Sequence, residues 1–188
     1  MTRKPFYLIS NWLEKDNANN LCNNLKNKLE WEQPMIKLYG KKHLVPRLVS
    51  FISNKGISYS YSGIIHIGKG WPDWLVPLLD QVREYCKVDF NGCLLNLYRD
   101  GEDSMGWHAD NEKELDLSMN IASLSLGAKR DFYFKNIASL EKVHFALENG
   151  DLLIMEPNCQ TNWLHSLPKR KKITGFRINL TFRKYLFN

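Results

Sequence analysis

The sequence predicts an α+β fold, with helices leading into a strand-rich core of the sandwich or jelly-roll kind. Leucines recur at helical spacing in two segments before residue 90, and from residue 91 onward short apolar runs alternate with turn residues. No linker-like stretch and no internal repeat interrupts the chain, so its 188 residues are expected to form one domain. Residues 1–90 would hold the helices and residues 91–188 the β core.

Leu21, Leu25 and Leu29 recur every four residues and predict a helix from Asp16 to Trp31, with Asp16 as N-cap and Pro34 beyond its end. A second helix is expected from about Asp73 to Cys86 on the stripe Leu75, Leu78, Leu79, Val82 and Cys86, its start left open by Pro72 and Pro77. Strands are expected at Leu94–Arg99, Ile121–Leu126, Asp131–Phe134, Val143–Leu147, Asp151–Met155 and Phe176–Arg183. Asn149-Gly150, between two of these, reads as a two-residue hairpin turn. Many short strands with such punctuation argue against a parallel sheet.

Composition narrows the class. With 44% apolar, 24% charged and 12% aromatic residues, the chain can build a core, and dominant disorder is excluded. No apolar run approaches the ~18 residues of a membrane span, and the stretch after Arg3 and Lys4 stops at Asn11, too soon for a signal peptide. Cys22, Cys86, Cys93 and Cys159 form no C-x-x-C pair and suit reduced thiols, so the cytosol (or the nucleus of a eukaryote) is the expected compartment. The net charge of +6 is compatible with a polyanionic partner and equally with simple solubility. Most of it, +5, lies in residues 1–90.

His108-Ala109-Asp110 places an imidazole and a carboxylate two residues apart, on one face of an extended segment. Two His and one carboxylate on one side of a metal are the ligand set of non-haem Fe(II) oxygenases. Alone the pair is a weak signal: five His and ten Asp in 188 residues produce it by chance in roughly one chain in four. His165 is the best third ligand, with His43, His66 and His144 as competitors. His144, on an alternating strand, reads better as structural, and any lone His here is more often a hydrogen-bonded structural residue than a ligand. The last strand adds weight. Arg177, Asn179, Thr181 and Arg183 share one face and Ile178, Leu180 and Phe182 the other. Two arginines facing a barrel interior are costly without an anion such as a metal-chelating dicarboxylate; on an exposed sheet face they would simply be wetted. Periodicity leaves both open.

Taken together, Leu95-Asn96-Leu97-Tyr98-Arg99-Asp100-Gly101, His108-Ala109-Asp110-Asn111-Glu112, Ser123 through Phe132, Trp163-Leu164-His165-Ser166-Leu167-Pro168 and Arg177 through Arg183 are more specific than any one of them. On these segments, from about residue 36 to 185, the chain resembles the AlkB family of Fe(II)- and 2-oxoglutarate-dependent dioxygenases, especially its duplex-DNA repair branch. The resemblance implies a double-stranded β-helix (jelly roll) core with N-terminal helices and a nucleotide-recognition lid. It implies that His108, Asp110 and His165 hold Fe(II), that Asn96, Tyr98 and Arg177 bind the distal carboxylate of 2-oxoglutarate, and that Asn179 and Arg183 steady its metal-proximal end. O2 would be the second co-substrate. The implied activity is oxidative demethylation of 1-methyladenine and 3-methylcytosine type lesions, with release of formaldehyde.

On the substrate side, the resemblance implies that Tyr59 and Tyr61 clamp a flipped base and that Glu112 contacts it; read alone, these are strand aromatics and a loop carboxylate. Leu38-Tyr39-Gly40 falls at a hydrophobic finger that fills the gap in the stack. Lys41, Lys42 and Arg47 are placed near phosphates, Lys169-Arg170-Lys171-Lys172 at a loop gripping the opposite strand, and Arg130 near the substrate. Leu97 and Tyr39 depart from the commoner Arg and Phe. The expected partner is DNA, duplex with a flipped base, or single-stranded DNA or RNA, met by a monomer with no membrane association. The same chemistry on RNA, a catalytically silent nucleic-acid-binding module and a zinc hydrolase are the other readings. Intact ligands count against the second, and buried arginines against the third.

Overall fold

Strict alternation of polar and apolar residues from Arg177 to Arg183 marks a central strand of the architecture. The computed structural model describes residues 3–38, 40–61 and 64–186; for residues 37, 38, 60, 61 and 64–66 it describes the backbone alone. In chain order the elements are β1 (Phe6–Ile9), α1 (Lys15–Lys28), β2 (Met35–Leu38), β3 (Lys41–Leu44), β4 (Leu48–Ser53), β5 (Ser58–Tyr61), β6 (Ile64–Ile67) and α2 (Val76–Cys86). There follow β7 (Gly92–Tyr98), β8 (Met105–His108), β9 (Ile121–Gly127), β10 (Arg130–Asn136), β11 (Lys142–Leu147), β12 (Leu152–Met155), α3 (Pro157–Asn162), β13 (Trp163–Leu167) and β14 (Arg177–Arg183).

Two antiparallel sheets carry the fold. The larger has the order β1-β12-β9-β14-β7-β4 and the smaller β11-β10-β13-β8, while β2 pairs with β3 and β5 with β6. In the larger sheet, Leu95, Leu97, Leu124, Leu126, Ile178, Leu180 and Phe182 pack against Ala18, Cys22 and Leu25 of α1 and Leu78, Leu79 and Val82 of α2. The opposite face meets the smaller sheet through Phe6, Tyr98, Ile121, Leu153 and Met155 on one side and Phe132, Phe134, Leu147, Trp163 and Leu167 on the other. Phe6 stacks on Phe134 with ring centroids 3.8 Å apart. The α+β class and both helices agree with the sequence expectation. Among the described residues no helix is long and apolar enough to cross a membrane.

Four details differ from it. Helix α1 begins at Lys15 after Glu14, whose carbonyl accepts from Ala18 N, so Asp16 sits in the first turn and is not the cap; the helix also ends before Trp31. Asp73–Leu75 form a 3-10 turn, and Pro77 lies in the first turn of α2, where its missing N–H costs nothing. Asn149-Gly150 is a corner between sheets, not a hairpin, because β11 pairs with β10 and β12 with β9 and β1. Gly150, at φ +91°, exchanges backbone hydrogen bonds with Ser125 and Leu13 there. Finally, β1 and β4 join the larger sheet, so strands cross the boundary expected at residue 90.

Candidate active site

The inner face of the larger sheet is polar where the smaller sheet covers it. Arg177, Asn179, Thr181 and Arg183 are all buried, so the exposed-face reading of β14 does not hold. Antiparallel register sets Asn179 opposite Asn96 and Ser125, and Arg177 opposite Tyr98. Burying this much polarity requires partners. Arg177 Nη2 donates to Ser125 Oγ over 2.9 Å; Asn179 Nδ2 donates to Ser123 Oγ and Leu124 O, and its Oδ1 accepts from Thr181 Oγ1. Arg177 is the exception in charge. Among the described residues no carboxylate pairs with it, its Nε has no partner, and burial pulls its pKa down to about 10.

Across a cavity of about 50 Å³ from this stripe stand the two histidines and the aspartate. His108 ends β8, Asp110 lies two residues on, and His165 is central in β13, where antiparallel pairing sets it opposite His108. Asp110 Oδ1 lies 3.7 Å from His108 Nε2 and 3.8 Å from His165 Nε2. The three ligand atoms fall within 4.8 Å of one another, close enough to share an ion about 2 Å from each. His108 Nδ1 meets Gly106 O at 2.9 Å, a bond that leaves Nε2 free for a metal. Burial, and then the neighbouring His108, push His165 down to about 3, which keeps it neutral and able to ligate. Burial opposes charge on Asp110, but Arg183 and the two histidines hold it at about 2, as a carboxylate. His43 and His144 are outside this group; His144 instead bonds Asp131 at 2.8 Å.

Two residues support the trio, and only the second, Gln160, escaped the sequence reading. Arg183 Nη2 pairs with Asp110 Oδ1 at 2.8 Å, so this arginine serves the ligand carboxylate itself. Gln160, buried on α3, accepts from the Asp110 backbone N–H at 2.8 Å and fixes the loop after β8.

The residues expected on the substrate side divide. Glu112 lines the cavity; its Oε1 accepts from Tyr59 Oη at 2.6 Å, and among the described residues its Oε2 has no partner. Tyr59 is fully buried against Phe51 and Tyr185, and its hydroxyl props Glu112. Arg47 is also buried, its Nε donating to Asn96 Oδ1 at 2.8 Å, which removes it from any phosphate surface. Arg130 is 1% exposed and donates to the carbonyls of Asp100, Asp103 and Pro168, so it pins loops and does not face substrate. The loop it pins carries the basic run. Gly101 exchanges backbone bonds with Arg170 and Ile173, and a Cβ there would fall 1.8 Å from Arg170 O. Arg170 is held by Asp131 and Tyr133, Lys171 stands 3.9 Å from Glu102, and Lys172 is exposed. Leu38 ends β2 and Tyr61 ends β5, Gly40 lies in the turn before β3, and Tyr39 lies outside the described residues.

The site thus combines a close His-Asp-His trio, two of its members buried, with an unneutralised buried arginine on β14. Residues 5–183 match the family model of the 2OG-Fe(II) oxygenase superfamily. The chain belongs to that superfamily, in its AlkB family. It is 41% identical over 163 residues to bovine DNA oxidative demethylase ALKBH2, covering 80% of this chain and 57% of that protein. Against the mouse ALKBH2 it is 42% identical, again over 80% of this chain and 66% of that protein. The chain thus spans less than two thirds of these curated relatives. A solved structure, that of OsALKBH1, superposes with a TM-score of 0.67 at 17% identity, covering 98% of this chain and all of that one, and speaks for the fold. For an AlkB-family chain, the trio is the place for Fe(II), and the uncompensated Arg177 suits the dicarboxylate 2-oxoglutarate.

Proposed function

We propose that this protein is an Fe(II)- and 2-oxoglutarate-dependent oxidative demethylase that repairs N-alkylated bases, of the 1-methyladenine and 3-methylcytosine type, in DNA. The observation that carries the reading is the close His108-Asp110-His165 trio together with Arg177, a buried cation that no carboxylate among the described residues neutralises, on the same strand as the Arg183 that holds Asp110. The name borne by the bovine and mouse relatives supports DNA as the substrate.

The two sheets form the double-stranded β-helix core of a single catalytic domain, with the β2–β3 and β5–β6 pairs as its nucleotide-recognition lid. His108, Asp110 and His165 hold Fe(II). Arg177, with Tyr98 and Asn96, takes the distal carboxylate of 2-oxoglutarate. When bound, Fe(II), 2-oxoglutarate and O2 supply the oxidation that hydroxylates an N-methyl group, releasing formaldehyde, the free base, succinate and carbon dioxide. The protein's own part is placement. Arg183 keeps Asp110 ionised, and the apolar wall of Phe132, Met155 and Leu167 excludes water. Glu112 presents its unpartnered Oε2 to the exocyclic amino group of a base flipped out of a duplex. Arg170, Lys171 and Lys172 meet backbone phosphates, and the enzyme acts as a monomer in the cytosol or nucleus.

Mass spectrometry of a duplex oligonucleotide carrying one 1-methyladenine, incubated with enzyme, Fe(II), ascorbate and O2, tests this directly. Methyl loss that depends on 2-oxoglutarate is the expected result. Succinate formation without methyl loss would keep the dioxygenase and discard this substrate; no turnover of either overturns the reading.

A further inference from the structure

The strand that supplies His108 has a second face. Trp107 precedes the ligand on β8, and alternation points it away from the cavity, onto the outer surface of the smaller sheet. It is 41% exposed, an unusual position for so large an apolar ring. The Lys135 ammonium lies 4.9 Å from its ring centroid. Lys135 in turn stands directly opposite Lys142 in the β10–β11 register, on the same face. Like charges at such a cross-strand pair repel. Among the described residues neither lysine forms an ion pair with a carboxylate, whereas the neighbouring Lys4, Lys129 and Lys169 each do. The next rung, Tyr133 opposite His144 with the Arg170 guanidinium 5.9 Å from the Tyr133 ring, differs in that Asp131 holds both His144 and Arg170, so the uncompensated charge is confined to Lys135 and Lys142.

An uncompensated lysine pair beside an exposed indole is poor design for stability alone, and it is complementary to a phosphodiester with an unpaired base. We propose that the outer face of the smaller sheet, centred on Trp107, Lys135 and Lys142, is a second nucleic-acid surface that binds single-stranded polynucleotide. The lysines meet consecutive phosphates, drawing Lys135 off the indole, and a base stacks on Trp107 in its place. This surface backs the strand that holds the iron ligand, so it grips nucleotides outside the cavity and leaves the flipped base to Glu112. It rests on the nucleic-acid reading above and extends it to the flanking strand.

The test uses the whole chain and an unmodified, fluorescein-labelled 16-nucleotide oligothymidylate, with binding read by anisotropy at several salt concentrations. Trp107→Ala is expected to weaken binding about tenfold and Trp107→Phe to restore most of it. Lys135→Ala and Lys142→Ala should each lower the slope of log affinity against log salt by about 0.7. Lys142 is exposed, so its variant stays informative even if Trp107→Ala misfolds. Wild-type affinity and salt slope in Trp107→Phe, Trp107→Ala and Lys142→Ala overturn the proposal. The probe carries no N-methyl lesion and needs no iron, so failure of the demethylase reading leaves this result standing on its own.

Discussion

Arg183 donates to Oδ1 of Asp110 across 2.8 Å, and that oxygen is the one facing Nε2 of both His108 and His165. One buried guanidinium therefore sets the charge and the direction of the ligand carboxylate. It also reaches Glu112 at 3.8 Å and Tyr59 Oη at 3.4 Å, so the base-facing and metal-facing carboxylates share a single cation. Replacing Arg183 with Met strands Asp110 in a buried site without its counter-ion, a change of the kind that costs about 3–5 kcal/mol. We expect a lowered melting temperature by calorimetry and loss of Fe(II) binding; a variant that keeps wild-type stability would refute the pairing's importance.

Arg177 predicts the opposite pattern. It has no acidic partner among the described residues, so Arg177→Met removes an uncompensated buried charge and should leave the free protein about as stable as wild type, or more so. Addition of 2-oxoglutarate with a redox-inert divalent metal should raise the melting temperature of the wild type and not of the variant. An equal ligand-induced shift in both would remove Arg177 from the co-substrate site.

Much of this was legible in the sequence, and what was not has physical reasons. Periodicity alone paired Arg177, Asn179, Thr181 and Arg183 on one face, because a strand's side chains alternate whatever it packs against. It could not say whether that face was wet or dry, since this depends on the smaller sheet covering it. The Asn149-Gly150 turn was visible, but a turn signal is the same whether the chain folds back or crosses to another sheet. The resemblance placed Arg47, Arg130 and Tyr59 near nucleic acid, and residue type could not test it, because long cationic and aromatic side chains serve both surfaces and interiors. Three carbonyls around Arg130 and the hydroxyl bond to Glu112 decide for the interior, and all of these come from residues distant in sequence.

Glu112 should separate the two halves of the reaction. Its Oε1 is committed to Tyr59 and, among the described residues, its Oε2 is free, while it touches the trio only through the Arg183 it shares with Asp110. Glu112→Gln is expected to slow demethylation of a 1-methyladenine oligonucleotide by about tenfold or more, in line with the loss of one charge-assisted bond. Succinate formation without nucleic acid should be retained. Equal loss of both would place Glu112 on the metal side.

Acid should destabilise the metal-free protein early, through His165. Its folded pKa of about 3 lies below the ordinary value of 6.5, because burial and then the His108 charge disfavour the imidazolium. The unfolded chain therefore binds the extra proton first. Stability that is full above about pH 6.5 falls as the pH drops from there towards 3. Asp110, held at about 2, adds its own loss only below about pH 4. Urea midpoints at pH 7.5, 6 and 5 should thus fall for the metal-free wild type and stay flatter in His165→Gln. A wild type as flat as the variant over that range would show that His165 is not buried neutral.

Gln160 offers the sharpest check on how the trio is held. Its carbonyl oxygen takes the Asp110 backbone N–H at 2.8 Å, and among the described residues its amide nitrogen meets only the Met155 sulfur at 3.7 Å, so its main structural work is that single bond. Gln160→Leu keeps most of the volume and leaves the N–H buried without an acceptor, a cost of about 1–3 kcal/mol. The loop after β8 can relieve that cost by shifting, which displaces Asp110 from the two histidines. Weakening a ligand's outer support typically lowers metal affinity 10–100-fold. Gln160→Glu, which retains the acceptor, should bind metal far closer to wild type. Competition with a colorimetric chelator measures this without turnover, and equal affinities in the Leu and Glu variants would assign the placement of Asp110 to Arg183 alone.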